Sequence, residues 1–255
     1  MMKIMVMTHL PKEGSPLNQT LEEFQDFIKK DYASPGTEIV CCFPEELVGG
    51  GAIHSRQRGS KALSGFTRSL LAPGIIKKAL EAQENGFNAV VLFNSYDPGV
   101  EDARLVLRIP FVGIGRASCH LASTLADRIG IIVPFETHIP NTRRILESYG
   151  LSNFISTFVA ASPPFGKEKN NEEVFQCFEK AGLKCLQSGA QIVVPLCGAF
   201  IPLTLSARTL SERVGIQFID PLAVSIGLAE NLVRFGLTHS EKAYPFLKIL
   251  SSEIG

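Results

Sequence analysis

Eight short apolar runs punctuate this chain, and they read as continuous rather than as alternating with polar residues. They fall at Lys3–Thr8, Glu38–Cys42, Ala89–Phe93, Phe111–Ile114, Gly130–Val133, Phe154–Val159, Gln191–Leu196 and Gln217–Ile219. A strand with one wet face alternates; a run that stays apolar is buried on both faces, as parallel strands under helices are. Helix-like segments lie between the runs. Leu21–Lys30 sets Leu21, Phe24, Phe27 and Ile28 on one side, and Ile75–Asn85 sets Ile76 and Leu80. Glu173–Ser188 carries Phe175, Phe178, Leu183 and Leu186, and a last helix is read from about Pro221 to Phe235. Strands alternating with helices predict an α/β fold with a mostly parallel sheet.

The chain also repeats itself. Gly86-Phe87-Asn88-Ala89-Val90-Val91-Leu92-Phe93-Asn94-Ser95 matches Gly189-Ala190-Gln191-Ile192-Val193-Val194-Pro195-Leu196-Cys197-Gly198 at an offset of 103 residues. Lys77/Lys180 and Leu80/Leu183 match in the preceding helix, and Phe111-Val112-Gly113 corresponds to Phe218-Ile219-Asp220. Lys3–Thr8 has its counterpart in Gly130–Pro134. Two related lobes are therefore expected. The first spans residues 1–115 and is completed by helices in 221–255; the second spans 116–220. Ser162–Asn171 reads as a loop and Gly49-Gly50-Gly51 as a flexible connection.

Composition narrows the partners. Lys plus Arg total 25 and Asp plus Glu total 25, for a formal charge of zero. Such a chain has no footprint for a polyanion, so no nucleic-acid partner is expected. The longest apolar stretch, Ile192–Leu205, is about 14 residues, broken by Pro195 and Pro202, and too short to span a bilayer. No membrane association is expected, and the first residues read as a strand rather than a signal peptide, which points to a cytoplasmic protein. The six cysteines, Cys41, Cys42, Cys119, Cys177, Cys185 and Cys197, form no CxxC pair, so neither a zinc site nor disulfides are expected. His54, His120, His138 and His239 have no metal-site spacing. Gly113-Ile114-Gly115-Arg116-Ala117-Ser118 lacks the third glycine of a dinucleotide loop, and no cofactor is expected.

Ligands in open parallel sheets sit at the carboxyl ends of strands. Thr8, His9 and Leu10 follow the first strand, and Asn94-Ser95-Tyr96-Asp97-Pro98-Gly99 follow the third. Pro134, Phe135 and Glu136 follow the first strand of the second lobe, and Cys197-Gly198-Ala199 follow its third. Cys197 is read at a strand-to-helix junction, where free helix amides lower a thiol's pKa and hold an anion. Asp97-Pro98-Gly99 is read as a turn. Tyr96 is placed to line a pocket.

These residues resemble a family. Asn94–Arg104 (NSYDPGVEDAR) is similar to the first active-site segment of hydantoin racemases, which read Cys, two residues, Asp-Pro-Gly or Asp-Thr-Gly, and a helix with Ala-Arg. Ile109–Gly115 with His120-Leu121-Ala122, Pro195-Leu196-Cys197-Gly198, and Phe218–Pro221 with Gly227–Glu230 resemble later segments of that family. The wider group is the aspartate/glutamate/hydantoin racemase superfamily, which includes arylmalonate decarboxylases. The resemblance implies two pseudo-symmetric flavodoxin-like lobes with an active-site cleft between them. It also implies cofactor-free proton transfer at the carbon next to a carboxylate or carbonyl, on a small carboxylate or hydantoin-like substrate, and it leaves room for a homo-oligomer. Two cysteines serve the family on opposite faces of that carbon. Here Asn94 holds the place of the first, and Val133-Pro134 replaces the hydroxyl residues that follow a neighbouring strand. The expected roles are Cys197 as proton donor and acceptor, His9 as a second acid/base, and Asn94, Ser95, Tyr96 and Gly198 as substrate-binding groups. A single-cysteine decarboxylase of the arylmalonate type and a catalytically silent small-molecule binder are the alternatives.

Overall fold

The structure, a computed structural model, describes residues 1–8, 21–42, 65–164, 171–198 and 200–254. His9, Leu10, Gly49-Gly50-Gly51, His54 and Ala199 lie outside the described residues. The chain divides into two compact units. One holds the N-terminal strands and helix, Phe66–Ile114 and everything described from Ser225 onward; the other holds Gly115–Val224.

The first unit is built from β1 (Met2–Thr8), α1 (Leu21–Asp31), β2 (Thr37–Cys42), α2 (Gly65–Glu84), β3 (Ala89–Phe93), α3 (Val100–Ala103) and β4 (Phe111–Gly113). Its four strands run parallel in the order β2-β1-β3-β4. Every residue of β3 is buried, as are Ile4, Val6 and Met7 of β1, which is why these strands carry no polar alternation. Each such side chain taken fully out of water stabilises the fold by about 1.5–3 kcal/mol. Met5, Ile75, Leu80, Val90 and Phe111 share one core cluster.

The second unit follows with α4 (Ile114–Leu125), β5 (Ile129–Val133), α5 (Ile139–Ser148), β6 (Ile155–Ala160), α6 (Asn171–Gln187), β7 (Ile192–Pro195), α7 (Ala207–Val214) and β8 (Gln217–Phe218). Its strands are also parallel, in the order β6-β5-β7-β8. The last helix, α8 (Pro221–Arg234), returns the chain to the first unit, to which its residues from Ser225 onward belong.

The internal repeat is visible in backbone detail. α2 and α6 both end on a left-handed glycine, Gly86 with φ 76° and Gly189 with φ 78°. In each, the next amide closes back on the last turn: Phe87 N–H to Ala82 C=O at 3.0 Å and Ala190 N–H to Cys185 C=O at 3.0 Å. This six-residue closure satisfies helix-end carbonyls that would otherwise go unpaired. One residue on, Asn88 donates its N–H to Lys3 C=O at 2.7 Å and accepts from Lys3 N–H through Oδ1 at 2.8 Å. Gln191 does the same with Arg128, at 2.8 Å and 3.1 Å. The strand registers agree with the offsets read in the sequence: Val90 pairs with Phe111, and Val193 pairs with Phe218.

Several element readings need correction. α2 starts ten residues before Ile75 and carries Pro73 inside it. Leu183 and Leu186 point to solvent, 40 % and 41 % exposed, whereas Val174, Phe175, Phe178, Ala181 and Cys185 form the buried face of α6. Phe154 sits in a short 3-10 turn before β6, and Ile114 opens α4 rather than closing β4.

Candidate functional site

Each unit presents residues at the carboxyl ends of its two central strands. In the first unit, the turn after β3 is built from Asn94, Ser95, Tyr96 and Asp97, polar residues that are nonetheless all buried. Buried polar groups are costly unless hydrogen-bonded, and this turn supplies partners internally. Asn94 Oδ1 accepts from Tyr96 N–H at 3.0 Å, and Asn94 C=O accepts from Asp97 N–H at 3.0 Å. Asp97 adopts φ 46°, a left-handed conformation unusual for a residue with a side chain. Gly99, at φ 72°, then lets the backbone press on α2: a Cβ there would lie 3.1 Å from the Ala72 carbonyl oxygen. Thr8, at the end of the adjacent β1, is also buried.

In the second unit, Cys197 lies two residues beyond β7 and is 2 % exposed. Its Sγ donates to Ile132 C=O of β5 at 3.4 Å, and that oxygen also accepts Leu196 N–H at 2.9 Å. The thiol is packed with Ile132, Phe178, Phe200 and Ile201 in one core cluster. Gly198, beside it, is buried as well.

The expected strand-to-helix junction is absent. The Cys197 carbonyl accepts from Phe200 N–H at 2.8 Å and Ile201 N–H at 3.1 Å, so the chain turns here, and α7 starts only at Ala207. Among the described residues, the first regular helix after Cys197 is α7, so the helix start expected at the thiol is not there. Burial instead pushes the Cys197 thiol well above its ordinary pKa, the reverse of the expected lowering, because a thiolate would lose its hydration among apolar side chains.

Of the expected site residues, Asn94, Ser95 and Tyr96 are brought together in one turn, Cys197 and Gly198 in another, and His9 lies outside the described residues. Sequence reasoning undervalued two side chains near these strand ends. Asp97 is more than a turn former, being 2 % exposed; an aspartate directly before Pro-Gly was the signal. His138, in the 3-10 turn after β5, is 3 % exposed, with its ring edge-on to Phe135 at 5.7 Å. No sequence pattern marked it. Among the described residues, no group of three His, Cys, Asp or Glu side chains is placed to hold a metal ion.

Comparison with known proteins identifies relatives. The family model described as Asp/Glu/Hydantoin racemase matches residues 30–229. A hydantoin racemase of Pseudomonas sp. (strain NS671) is 26 % identical over 226 residues, which cover 85 % of this chain and 83 % of that protein. Among solved structures, the allantoin racemase from Klebsiella pneumoniae superposes with a TM-score of 0.77 at 22 % identity, covering 98 % of this chain and 95 % of the other. An arylmalonate decarboxylase superposes with a TM-score of 0.58 at 11 % identity, covering 90 % and 92 %. At such identities the two structures speak for the fold alone.

Proposed function

The chain belongs to the Asp/Glu/hydantoin racemase family, and we propose that within it the protein moves a proton on and off the carbon next to a carboxylate or carbonyl of a small substrate such as a hydantoin. One observation carries this reading: Cys197, fixed by its hydrogen bond to Ile132 C=O, stands two residues beyond β7 at the repeat position that Asn94 holds after β3. A thiol is soft, compact and able to pass a proton in either direction. Asn94 and Ser95 hold the substrate oxygen on which charge gathers when the carbon loses its proton, and a dry setting strengthens such contacts. The His9 imidazole, or Cys197 once deprotonated, takes the proton as the electron pair of the broken C–H bond moves onto that oxygen to give an enolate; the carbon then takes a proton back from the acid so formed or from the other group, and the electron pair returns to carbon. His9 remains the candidate for the second acid/base, because histidine is the side chain whose ordinary charge change falls near neutral pH.

A second reading is favoured by the burial of Cys197, which disfavours its thiolate and suits it to giving a proton rather than taking one. A substituted malonate that lost carbon dioxide would leave an enediolate, and Cys197 would supply its proton. This needs one thiol, as the chain has Asn94 in place of a second.

The test is a panel of hydantoins, amino acids and substituted malonates in heavy water, with deuterium uptake at the α-carbon followed by NMR. Uptake on hydantoins or amino acids is the expected outcome, and it is lost in Cys197→Ala while circular dichroism is retained. Deuterated product from malonates alone would select the decarboxylase reading. A Cys197→Ala chain as active as the wild type would refute both.

A further inference from the structure

The geometry points to Asp97 as a positioning residue that sets Asn94 and Ser95 for the reaction, held in place by the bare Cα of Gly113. The inference rests on the proposed proton transfer at a substrate held by Asn94 and Ser95. Three observations carry it.

Asp97 is one of two non-glycine residues with positive φ among the described residues, the other being Ser162. A residue with a side chain is held there only where its surroundings enforce the angle. Glycine reaches this conformation most readily, and asparagine and aspartate more readily than other residues, because their short polar side chains bond locally. The backbone angle thus gives position 97 a fixed geometry, and the role of the carboxyl group follows from where it packs.

That group is buried against the neighbouring strand. A Cβ built on Gly113 would lie 2.9 Å from Asp97 Cβ and would run into Asp97 Cγ and Oδ1. Gly113 is the last residue of β4 and pairs with Leu92 of β3. The Asp97 side chain thus occupies the space that any side chain at position 113 would take. The turn after β3 is thereby seated on the carboxyl end of the adjacent strand.

The turn is also locked at both ends. Asp97 N–H binds Asn94 C=O at 3.0 Å, and Asp97 C=O accepts from Val100 N–H at 3.3 Å. Gly99 sits hard against Ala72 of α2. Asp97 is the shared residue of these two successive turns, so its backbone angle fixes the direction in which Asn94 and Ser95 leave β3. A misplacement of about 1 Å in such groups can slow a reaction by about 100-fold.

Three variants test this, each measured for kcat, KM and thermal melting with the substrate that exchanges deuterium fastest on the wild-type chain. Asp97→Gly relieves the strain but removes the carboxyl group; kcat is expected to fall by about 100-fold while the melting temperature is held or raised. Gly113→Ala displaces the carboxyl group from the other side and is expected to lower kcat in the same way. Asp97→Asn keeps the shape and tolerates the angle, and is expected to recover the rate to within about tenfold of wild type. An Asp97→Gly chain with wild-type kcat overturns the assignment. So does a loss of melting temperature in that variant with kcat per folded molecule intact, since a merely structural residue would behave so. A wild-type chain that exchanges no proton with any compound of the panel instead overturns the proposed function beneath it.

Discussion

Cys185 and Cys197 are both removed from water, and burial pushes the Cys185 thiol up to about 12 and the Cys197 thiol well above its ordinary value. Cys185 packs where Gly130 leaves room: a Cβ on Gly130 would lie 2.9 Å from its Sγ. The unfolded chain releases these protons near pH 9, whereas the folded chain keeps the Cys185 proton up to about 12. Their contribution to stability is therefore fully present below pH 9 and is lost as pH rises between the two values. The urea midpoint is expected to fall between pH 7 and pH 10, and to fall less in Cys185→Ala. An equal fall in both proteins would show that this thiol is not the source. The position of Cys197 could be read in the sequence because the 103-residue offset aligns it with Asn94. The direction in which its pKa is pushed could not, because that follows from burial in the apolar cluster it shares with Phe178 and Phe200 and from a turn standing where the sequence predicts a helix.

Among the elements, α8 is tied to the start of β2 by one buried carboxylate. Glu230 is 4 % exposed and accepts from Ser34 N–H at 2.8 Å, Ser34 Oγ at 2.6 Å and Thr37 Oγ1 at 2.7 Å. Charge-assisted bonds of this kind are worth more than neutral ones, and cutting them leaves the buried Thr37 hydroxyl without its acceptor. Glu230→Ala is expected to destabilise the fold by about 3 kcal/mol, and Glu230→Gln by less, because it keeps one oxygen. Urea unfolding followed by circular dichroism measures both; an Ala variant within error of wild type would remove Glu230 as a tie. Sequence periodicity had no access to this link, which joins residues 196 and 193 apart. It did find the strands, because Ala89–Phe93 and Ile129–Val133 are buried on both faces and apolar throughout. It lost the first half of α2 because Pro73-Gly74 reads as a breaker, although the helix passes through both. It put Leu183 and Leu186 on the wrong side of α6 because an apolar residue reports nothing about which helix face a sheet covers.

At the scale of the whole molecule, one supersecondary plan is used twice. Sheets ordered β2-β1-β3-β4 and β6-β5-β7-β8 carry the same left-handed glycine, the same helix closure and the same amide clasp ahead of their third strands. The plan was legible in advance because both copies keep Gly, then an amide residue, then an apolar run, at Gly86-Phe87-Asn88 and Gly189-Ala190-Gln191. What the copies do not share is the residue at the end of that strand: Asn94 in one and Cys197 in the other. The family resemblance implies one cysteine for each face of the reacting carbon, and here Asn94 holds the place of the first, so a thiol is expected to serve one face only. Deuterium uptake should then be faster from one enantiomer of a hydantoin than from its mirror image. Asn94→Cys restores a thiol to the equivalent place, with a side chain of similar size. It is expected to bring the two uptake rates closer together, measured on each pure enantiomer in heavy water. The second thiol must lie close to the substrate for this to occur, so Cys197→Ala placed on the Asn94→Cys background should reverse the preference rather than abolish uptake from both hands. An enantiomer ratio that Asn94→Cys leaves unmoved would mean that position 94 never reaches the carbon, and that the second face is served from elsewhere.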